Sequence, residues 1–349
     1  MVKNIQLCGI LLLFVLLVGC GGETVSSQEA LHVESAENSR TFFAMDTVMK
    51  LTVYGEPQIL ERAENRVREL DALFSVTDRE SEICAVNRDG KAALSKDTAE
   101  VFAVGLELCQ RTKGALDLSI YPIVQAWGFT TNDYRVPNEN ELLTLMSHVG
   151  YTQIAYDPES CFVALEPDMK IDLGSIAKGY TSDQLIELLR DANITSALLD
   201  LGGNIHVLGS KPDGSPWRIA IKAPAGEGNL GVLSITDCAV ITSGGYERYF
   251  EEDGQTYWHI IDPSTGYPAH SGLVSVTVVG ESGALCDGLS TALFVMGEDA
   301  ATDLWRNSDD FEAVFVQEDG SVSITEGLES SFVLLDHYAD ASLSVIRRD

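Results

Sequence analysis

The chain has 349 residues, a length that suits one large domain or two ordinary ones. Hydrophobic residues make up 45% of it and aromatic residues 8%, which indicates a packed globular core and excludes a largely disordered chain. With 53 acidic against 23 basic residues the formal charge is -30, which excludes nucleic acid as a partner because phosphates attract lysine and arginine. Acidic clusters are instead compatible with divalent metal ions.

The first 19 residues are typical of a secretion signal. Lys3 precedes an apolar run over residues 7–18, which is too short for a comfortable membrane span. The run leads into the tetrapeptide LVGC, which ends at Cys20 and resembles the lipobox at which bacterial lipoproteins are cleaved and lipidated. We expect cleavage before Cys20, attachment of Cys20 to the lipid bilayer and a location on the extracytoplasmic side of the bacterial cell membrane. The alternative is an ordinary signal peptide with an incidental cysteine.

Residues 20–40 are predicted to form a flexible acidic tether, because the run GGETVSSQEALHVESAENS is small, polar and acidic. One folded domain is expected over residues 41–349, since no change in composition divides it and no repeat of 20 to 50 residues is visible. Five widely spaced cysteines follow Cys20 and form no C-x-x-C metal pattern. We expect buried free thiols, with a single disulfide as the alternative.

Hydrophobic periods predict a mixture of helices and strands in this domain. A helix is predicted in QILERAENRVRELDALFS, because Leu60, Ala63, Val67 and Leu70 recur at helical spacing. Further helices are predicted over residues 97–113, over residues 181–192 and from Cys286 onwards. Strands are predicted in FFAMDTVMKLTVYG, SALLDLG, NIHVLG, WRIAIKAP, GVLSITDCAVITSG, TYWHIID and LVSVTVVG, before a terminal hairpin around Glu318-Asp319-Gly320. Because the strands are mostly sequential and mixed with helices, the predicted fold class is α+β.

The segment IDLGSIAKGYTSDQL has features of an anion site. Asp172 is expected to end an apolar strand, Gly174 and Ser175 to form a tight turn, and Lys178 with Gly179 to open the next helix. Such a segment offers backbone N–H groups, a helix N-terminus and a lysine charge to a phosphate. The spacing is not that of a P-loop, and an ordinary helix cap around Ser175 is the alternative.

The segment ALCDGLSTALFVMG places Asp287, Ser290 and Thr291 on one face of a helix, at positions i, i+3 and i+4. One carboxylate beside two hydroxyls is an all-oxygen set that suits Mg²⁺. In the alternative, Asp287 caps the helix and the hydroxyls bond to the preceding turn.

Aromatic and glycine-rich segments complete the set of motifs. In GALDLSIYPIVQAWGF, the cluster Trp127-Gly128-Phe129 could wall a flat ring, but such residues are more often core. Paired glycines in LLDLGGNIHVLG and VITSGGYERYF bring backbone close to a ligand or to another strand. The turn-forming segment YWHIIDPSTGYPAHSG opens with Trp258 and His259, which an ordinary loop does not require.

In their order along the chain, these segments resemble the ApbE family, the FAD:protein FMN transferases. The matching motifs are FFAMDTVMKLTVYG, LFSVTDRESEICAVN, GALDLSIYPIVQAWGF, IDLGSIAKGY, LLDLGGNIHVLG, VITSGGYERYF, HIIDPSTGYPA and CDGLSTALFVMG. The resemblance implies one two-lobed, T-fold-like catalytic domain. It also implies an enzyme that cleaves the pyrophosphate of FAD, attaches FMN through a phosphoester to a threonine or serine of a target protein, releases AMP and uses Mg²⁺.

The resemblance also implies roles for individual residues. Asp287, Ser290 and Thr291 would help to hold Mg²⁺ together with an oxygen from Ser175. The positions that match FAD-contacting residues of the family are Met45, Thr77, Ala115, Leu116, Asp117, Asp172, Lys178 and Ile261. Position 77 departs from members that carry tyrosine or asparagine there, and this residue is expected to tune transfer against FAD hydrolysis.

His259 is the expected general base. A histidine titrates near neutrality, so at the lip of a flavin site it can take the proton from the incoming hydroxyl of the acceptor. The alternative is a structural histidine that bonds to a loop carbonyl. The resemblance further suggests that the acceptors are flavin-carrying subunits of membrane redox complexes.

Two other functions fit similar residues. The first is a Mg²⁺-dependent FAD pyrophosphatase, in which water replaces the acceptor hydroxyl and FMN is released. The second is a flavin-binding lipoprotein without catalysis. The Asp287 oxygen set and His259 argue against the second function, because a protein that only binds flavin needs neither a metal nor a base.

Overall fold

The structure is a computed structural model that describes residues 36–224, 228–335, 338 and 341–348. The predicted signal segment, Cys20 and most of the predicted tether lie outside the described residues. The first strand begins at Glu37, four residues before the predicted start of the domain at residue 41. None of the described helices combines the length and the apolar character that a membrane span requires.

The described residues form seven α-helices and seventeen β-strands. The helices are α1 (Gln58–Phe74), α2 (Glu82–Asp89), α3 (Lys96–Arg111), α4 (Tyr121–Ala126), α5 (Glu139–Met146), α6 (Ala177–Asp191) and α7 (Gly283–Arg306). The first nine strands are β1 (Glu37–Ala44), β2 (Thr47–Tyr54), β3 (Lys91–Ala93), β4 (Ala155–Asp157), β5 (Phe162–Ala164), β6 (Ala197–Asp200), β7 (Ile205–Leu208), β8 (Trp217–Lys222) and β9 (Asn229–Ile235). The others are β10 (Ala239–Gly244), β11 (Tyr249–Glu252), β12 (Gln255–Trp258), β13 (Leu273–Gly280), β14 (Glu312–Gln317), β15 (Val322–Thr325), β16 (Phe332–Leu334) and β17 (Leu343–Ile346).

A nine-stranded sheet organises the described residues, in the order β1-β2-β6-β7-β10-β13-β14-β15-β17. Neighbouring strands are antiparallel except for the parallel pair β15 and β17. Two three-stranded sheets have the orders β16-β9-β8 and β3-β5-β4, and β11 with β12 forms a separate two-stranded ribbon. Mixed helices and largely antiparallel sheets confirm the predicted α+β class.

The large sheet has a core on each face. On one face, helices α1 and α6 pack against β1, β2 and β6, and α7 packs against β10 and β13. On the other face lies the sheet β16-β9-β8. The helical spacing predicted for α1 is confirmed, since Leu60, Ala63, Val67 and Leu70 are all buried. The helix therefore presents one apolar stripe to the sheet.

Two predicted strands differ from the structure. The segment GVLSITDCAVITSG was expected as one strand, but it forms β9 and β10, which belong to different sheets. A turn with Asp237 in the left-handed region (φ 47°) separates them. Similarly, TYWHIID continues beyond β12 only as an isolated bridge between Ile261 and Pro268. An alternating apolar pattern does not show where a chain passes from one sheet to another, so these boundaries were not predictable.

Asp172 does not end a strand, contrary to the prediction. The side-chain amide of Asn87 donates to the Ile171 carbonyl (2.8 Å) and accepts from the Ile171 N–H (2.7 Å). The Asp172 N–H bonds to the Leu118 carbonyl (2.8 Å). These contacts provide the backbone hydrogen bonds that a neighbouring strand would otherwise provide. The apolar segment before Gly174 therefore lies in the core without belonging to a sheet.

Buried free thiols were expected; the five cysteines of the described residues are free thiols, but only two of them are buried. Cys109 and Cys286 are buried, whereas the other three are partly exposed. Burial raises the pKa of Cys109 to about 12, so this thiol stays protonated and unreactive at neutral pH.

His206 on β7 gives the fold a measurable acid sensitivity. The ring is 3% exposed, and its Nδ1 lies 2.9 Å from the Ser182 hydroxyl. Burial lowers the pKa of His206 to about 4. As the pH falls below 6.5, His206 becomes protonated in the unfolded chain, but in the folded protein it stays neutral until about pH 4. The unfolded state therefore binds more protons in this pH range. The contribution of neutral His206 to stability is present above pH 6.5 and is lost as the pH falls towards 4.

We expect His206→Gln to remove this part of the acid sensitivity. Integrating the pKa difference between about 4 and the ordinary 6.5 gives about 3 kcal/mol of unfolding free energy lost by the native chain as the pH falls. The measurement is urea unfolding at several pH values for both proteins. Parallel pH profiles of native chain and variant would show that His206 does not titrate in this way.

Candidate functional site

Lys178 lies within electrostatic range of several titratable side chains. It is the second residue of α6, directly after the turn at residues 174–176. The positive charge of Lys178 influences the titration of four groups that come from four separate parts of the chain: Asp172, Glu247, His259 and Asp287. We call this region the Lys178 cleft. It combines four of the predicted motifs in one place.

Asp172 forms one side of the cleft. Its Oδ1 accepts a hydrogen bond from the Gly174 N–H (2.8 Å), which fixes the turn before α6. Burial raises the pKa of Asp172, and the Gly174 hydrogen bond and the charges of Arg248 and Lys178 oppose this shift. The residue as a whole is still partly exposed.

Asp287 lies where α6 and α7 meet. It is 5% exposed, and its Oδ2 accepts a hydrogen bond from the Gly179 N–H (2.8 Å). Burial raises the pKa of Asp287, while Lys178, Gly179 and Asn204 act in the opposite direction. The predicted alternative of Asp287 as a helix cap does not hold, because Ser282 caps α7 by accepting from the Leu285 N–H. Asp287 is therefore a buried carboxylate that faces the cleft cation.

The position of Asp287 depends on a glycine contact between the two helices. A Cβ added at Gly179 would collide with the Gly283 carbonyl and lie 2.6 Å from the Asp287 Cβ. Neither obstacle is the flexible end of a side chain. Only a residue without a side chain allows α6 to approach α7 closely enough to make the Gly179–Asp287 hydrogen bond.

We expect Gly179→Ala to destabilise the fold by about 1–3 kcal/mol, because helix α7 must move away from α6. The measurement is the free energy of unfolding in urea. Gly105→Ala on α3 is the matched control, since its Cβ would meet the ends of the Ile176 and Leu118 side chains. If both variants lose the same free energy of unfolding, the close contact between α6 and α7 is not the cause of the loss in Gly179→Ala.

The predicted hydroxyls have different environments. The Ser290 hydroxyl donates to the Asp287 carbonyl (2.8 Å), which is the back-bonding of the alternative reading. Ser243 on β10 links the hydroxyls, with its Oγ 2.8 Å from Ser290 Oγ and 3.2 Å from Thr291 Oγ1. Sequence reasoning did not identify Ser243 as a site residue. Its only signal was a hydroxyl directly before the paired glycines of VITSGG.

The described residues contain no group of three or more His, Cys, Asp or Glu side chains that could hold a metal ion. The predicted Mg²⁺ set has a single carboxylate, Asp287, and takes its other oxygens from hydroxyls. No hydrogen bond within the described residues joins Ser175 to Asp287, so Ser175 is the least connected member of this set.

His259 directly follows β12 at the edge of the cleft. The Arg248 carbonyl accepts the His259 backbone N–H (3.1 Å) and also contacts the ring Nδ1 (3.2 Å). A carbonyl can only accept, so Nδ1 is the ring donor and Nε2 keeps its lone pair. Burial lowers the pKa of His259 to about 4, and the charge of Arg248 adds to this effect, although the ring remains partly exposed. The imidazole is neutral at neutral pH.

The loop after His259 is locked by its turn residues. Asp262 accepts from the Ser264 N–H (2.8 Å) and hydroxyl (2.7 Å). The indole of Trp127 donates to the Gly266 carbonyl (2.8 Å). Trp127 and Phe129 are fully or almost fully buried, so they are core residues rather than walls of a ring site. Trp258 also serves the loop, by donating to the Ala269 carbonyl (3.1 Å).

Met45 occupies a strained turn beside α6. Met45 and Asp46 form the two-residue β1–β2 turn with φ values of 48° and 59°, a conformation that favours asparagine and glycine. The Asp71 carboxylate accepts the Met45 N–H (3.1 Å), and the Thr181 hydroxyl lies 3.7 Å from the Met45 sulfur. The turn therefore lies against the first turns of the helix that carries Lys178.

The other predicted FAD positions lie on loops. Asp117 accepts from the Ser119 N–H (2.8 Å) with one carboxylate oxygen and from the Tyr151 N–H (2.9 Å) with the other, so it fixes the loop that carries Ala115 and Leu116. Thr77 is exposed. Ile261 is buried, which is compatible with the predicted contact through its backbone.

A family model supports the resemblance seen in the motifs. The model of the ApbE family matches residues 45–315. This chain belongs to the ApbE family. The family membership that the motifs predicted is confirmed.

Curated relatives and solved structures agree with this assignment. The FAD:protein FMN transferase of Haemophilus influenzae is 34% identical over 256 residues, which cover 70% of this chain and 74% of the relative. That of Klebsiella pneumoniae is 30% identical over 299 residues, which cover 84% and 93%. A crystal structure of the ApbE protein from Thermotoga maritima superposes with a TM-score of 0.80 at 32% identity, covering 85% of this chain and 99% of that one. The flavin transferase ApbE from Vibrio cholerae gives 0.76 at 27% identity, covering 85% and 100%.

Proposed function

We propose that this chain is a Mg²⁺-dependent FAD:protein FMN transferase. It cleaves the pyrophosphate of FAD, attaches FMN by a phosphoester to a threonine or serine of an acceptor protein, and releases AMP. The similarity to curated relatives that are FAD:protein FMN transferases supports the proposal. The observation that carries it is the Lys178 cleft, where a fixed cation, a buried carboxylate and a neutral histidine meet.

The donor binds at the start of α6. The helix N-terminus and the Lys178 ammonium both attract the diphosphate of FAD. Met45 lies beside α6, and Asp172 lies at the turn before it. We infer that the loops of Thr77, of residues 115–117 and of Ile261 complete the contacts to the flavin and adenosine parts.

The residues around Asp287 fit a Mg²⁺ ion. They supply only oxygen atoms, which is the chemistry that this ion prefers. The buried Asp287 carboxylate has a raised pKa, and a cation beside it would offset the cost of its burial. We infer that Asp287 and Thr291 hold the ion, with Ser175 and Ser290 contributing as the resemblance implies. Bound Mg²⁺ would neutralise charge on the diphosphate.

His259 acts as the general base. Its Nε2 takes the proton from the acceptor hydroxyl, while the Arg248 carbonyl holds Nδ1–H. The hydroxyl oxygen then bonds to the phosphorus of the FMN half. The bond from that phosphorus to the bridging oxygen breaks, and AMP leaves with this oxygen. The Lys178 ammonium keeps the phosphate in place for the in-line attack, and Asp172 contacts FAD as the resemblance implies.

The place of action follows from the N-terminal sequence. We propose that Cys20 carries the lipid and holds the domain on the extracytoplasmic face of the cell membrane. The acceptors would then be flavin-carrying subunits of membrane redox complexes that expose the target residue on that side.

AMP release with and without an acceptor tests the proposal. The purified chain is incubated with FAD and Mg²⁺, and AMP is quantified with and without an acceptor domain that carries the target threonine. We expect AMP release to depend on the acceptor. Equal AMP and free FMN in both cases would instead identify an FAD pyrophosphatase.

A further inference from the structure

Arg248 touches the base through its main chain and the cleft through its side chain. It directly precedes β11, and the register of the ribbon pairs Tyr249 with Trp258, so Arg248 lies opposite His259. Its carbonyl holds both the His259 N–H and Nδ1. Its guanidinium donates to the Phe129 carbonyl (3.3 Å). One residue thus holds the histidine through its carbonyl and brings a positive charge near Asp172.

In the described part of the chain, no carboxylate lies within ion-pair distance of the Arg248 guanidinium. Neither Arg248 nor Lys178 makes an ion pair within 4.0 Å among the described residues, although acidic residues far outnumber basic ones in this chain. The Phe129 carbonyl takes one N–H of the guanidinium and leaves the rest of the fork without a hydrogen bond to a described residue. Two cations without an ion pair, on neighbouring parts of one site, leave their donors free for an anionic ligand such as a diphosphate.

We propose that Arg248 is a second anion-binding side chain of the Lys178 cleft, which pairs with the diphosphate of the flavin donor and couples donor binding to proton transfer at His259. The inference rests on the proposed function, because it takes FAD as the donor and His259 as the base. Arg248 acts on the reaction in two ways, through the donor and through the base.

The coupling follows from the charges that face His259. Arg248 from the ribbon and Lys178 from α6 both disfavour the imidazolium, and the Phe129 ring beside it is uncharged. Asp172 and Glu247 face Arg248 but do not form an ion pair with it. When the donor diphosphate pairs with the guanidinium, the positive field at His259 falls. The histidine then accepts a proton more readily with the donor in place than without it.

Donor affinity and histidine titration test the proposal on the full-length chain in detergent. Affinity for FAD is read from flavin fluorescence, and the His259 titration from ring NMR signals that disappear in His259→Ala. We expect Arg248→Gln to weaken FAD binding by about 10- to 100-fold, because a charged hydrogen bond is lost. We also expect it to raise the pKa of His259 in the free protein. Arg248→Lys should keep the His259 titration and recover only part of the affinity.

Arg218→Gln is the matched control, since Arg218 lies on an exposed position of β8 and also makes no ion pair in the described part of the chain. It should change neither readout. Unchanged FAD affinity together with an unchanged His259 titration in Arg248→Gln would overturn the inference. If Arg248→Gln does not fold, Arg248→Lys decides, because wild-type affinity without the guanidinium fork would also overturn it.

The pH dependence of transfer gives a second readout. The acidic limb of the kcat/KM profile reports the pKa of the base in the free enzyme, and the acidic limb of the kcat profile reports its pKa in the donor complex. In the native chain the acidic limb of kcat should lie at higher pH than that of kcat/KM. The pH difference between the two limbs should be smaller in Arg248→Gln. Both binding readouts work without an acceptor, so a chain that binds FAD but transfers nothing would refute the proposed function and the coupling to proton transfer, and would leave only the anion-binding role of Arg248 standing.

Discussion

His259→Ala is expected to lower the rate of FMN transfer by about 10²- to 10⁴-fold, the usual contribution of a general base. The acceptor hydroxyl then loses its proton acceptor, while the α6 N-terminus, Lys178 and Arg248 remain to bind the donor. FAD affinity should therefore stay near that of the native chain. The measurement is acceptor flavinylation under single-turnover conditions, with FAD binding determined separately.

His270→Ala is the matched control for this substitution. His270 lies on the same loop and packs on Trp258 with a centroid distance of 4.5 Å, but it is exposed. Its loss should leave the transfer rate nearly unchanged. Near-native transfer by His259→Ala would remove His259 from the mechanism and favour the alternative of a structural histidine.

Asp287→Asn is expected to abolish the stimulation by Mg²⁺ and to lower turnover by about 10²- to 10⁴-fold, which corresponds to the several kcal/mol that a metal ion supplies as a Lewis acid. Asparagine can still accept the hydrogen bond from the Gly179 N–H, so the helix contact is kept and only the charge is lost. The measurements are AMP release over a Mg²⁺ titration and the shift in melting temperature that Mg²⁺ causes.

Asp299→Asn provides the control, because Asp299 is an exposed residue of the same helix. It should respond to Mg²⁺ like the native chain in both measurements. Full stimulation of Asp287→Asn by Mg²⁺, or an unchanged thermal shift, would contradict the assignment of Asp287 to the metal.

Local periodicity predicted the parts of the fold that depend on one element. The apolar stripe of α1 follows from spacing alone, and the shared face of Asp287, Ser290 and Thr291 follows from the helical period. The β14–β15 hairpin follows from the turn chemistry of Glu318-Asp319-Gly320. These features need no knowledge of the rest of the molecule.

Features that depend on contacts between distant segments were not predictable in this way. Ser243 joins the hydroxyls of α7 only because β10 packs against that helix. Arg248 meets His259 only through the register of the ribbon. Asp172 was expected to end an apolar strand, whereas the Asn87 side chain replaces the strand partner. In each case the deciding partner lies far away in the sequence.

Simultaneous measurement of acceptor mass and AMP tests the central claim most directly. The full-length chain in detergent is mixed with FAD, Mg²⁺ and an acceptor domain that bears the target threonine. The proposed transferase predicts that the acceptor gains the mass of one FMN for each AMP released, and that both products disappear together in Asp287→Asn. AMP with free FMN and an unmodified acceptor, or bound flavin without any AMP, would contradict the proposed transferase.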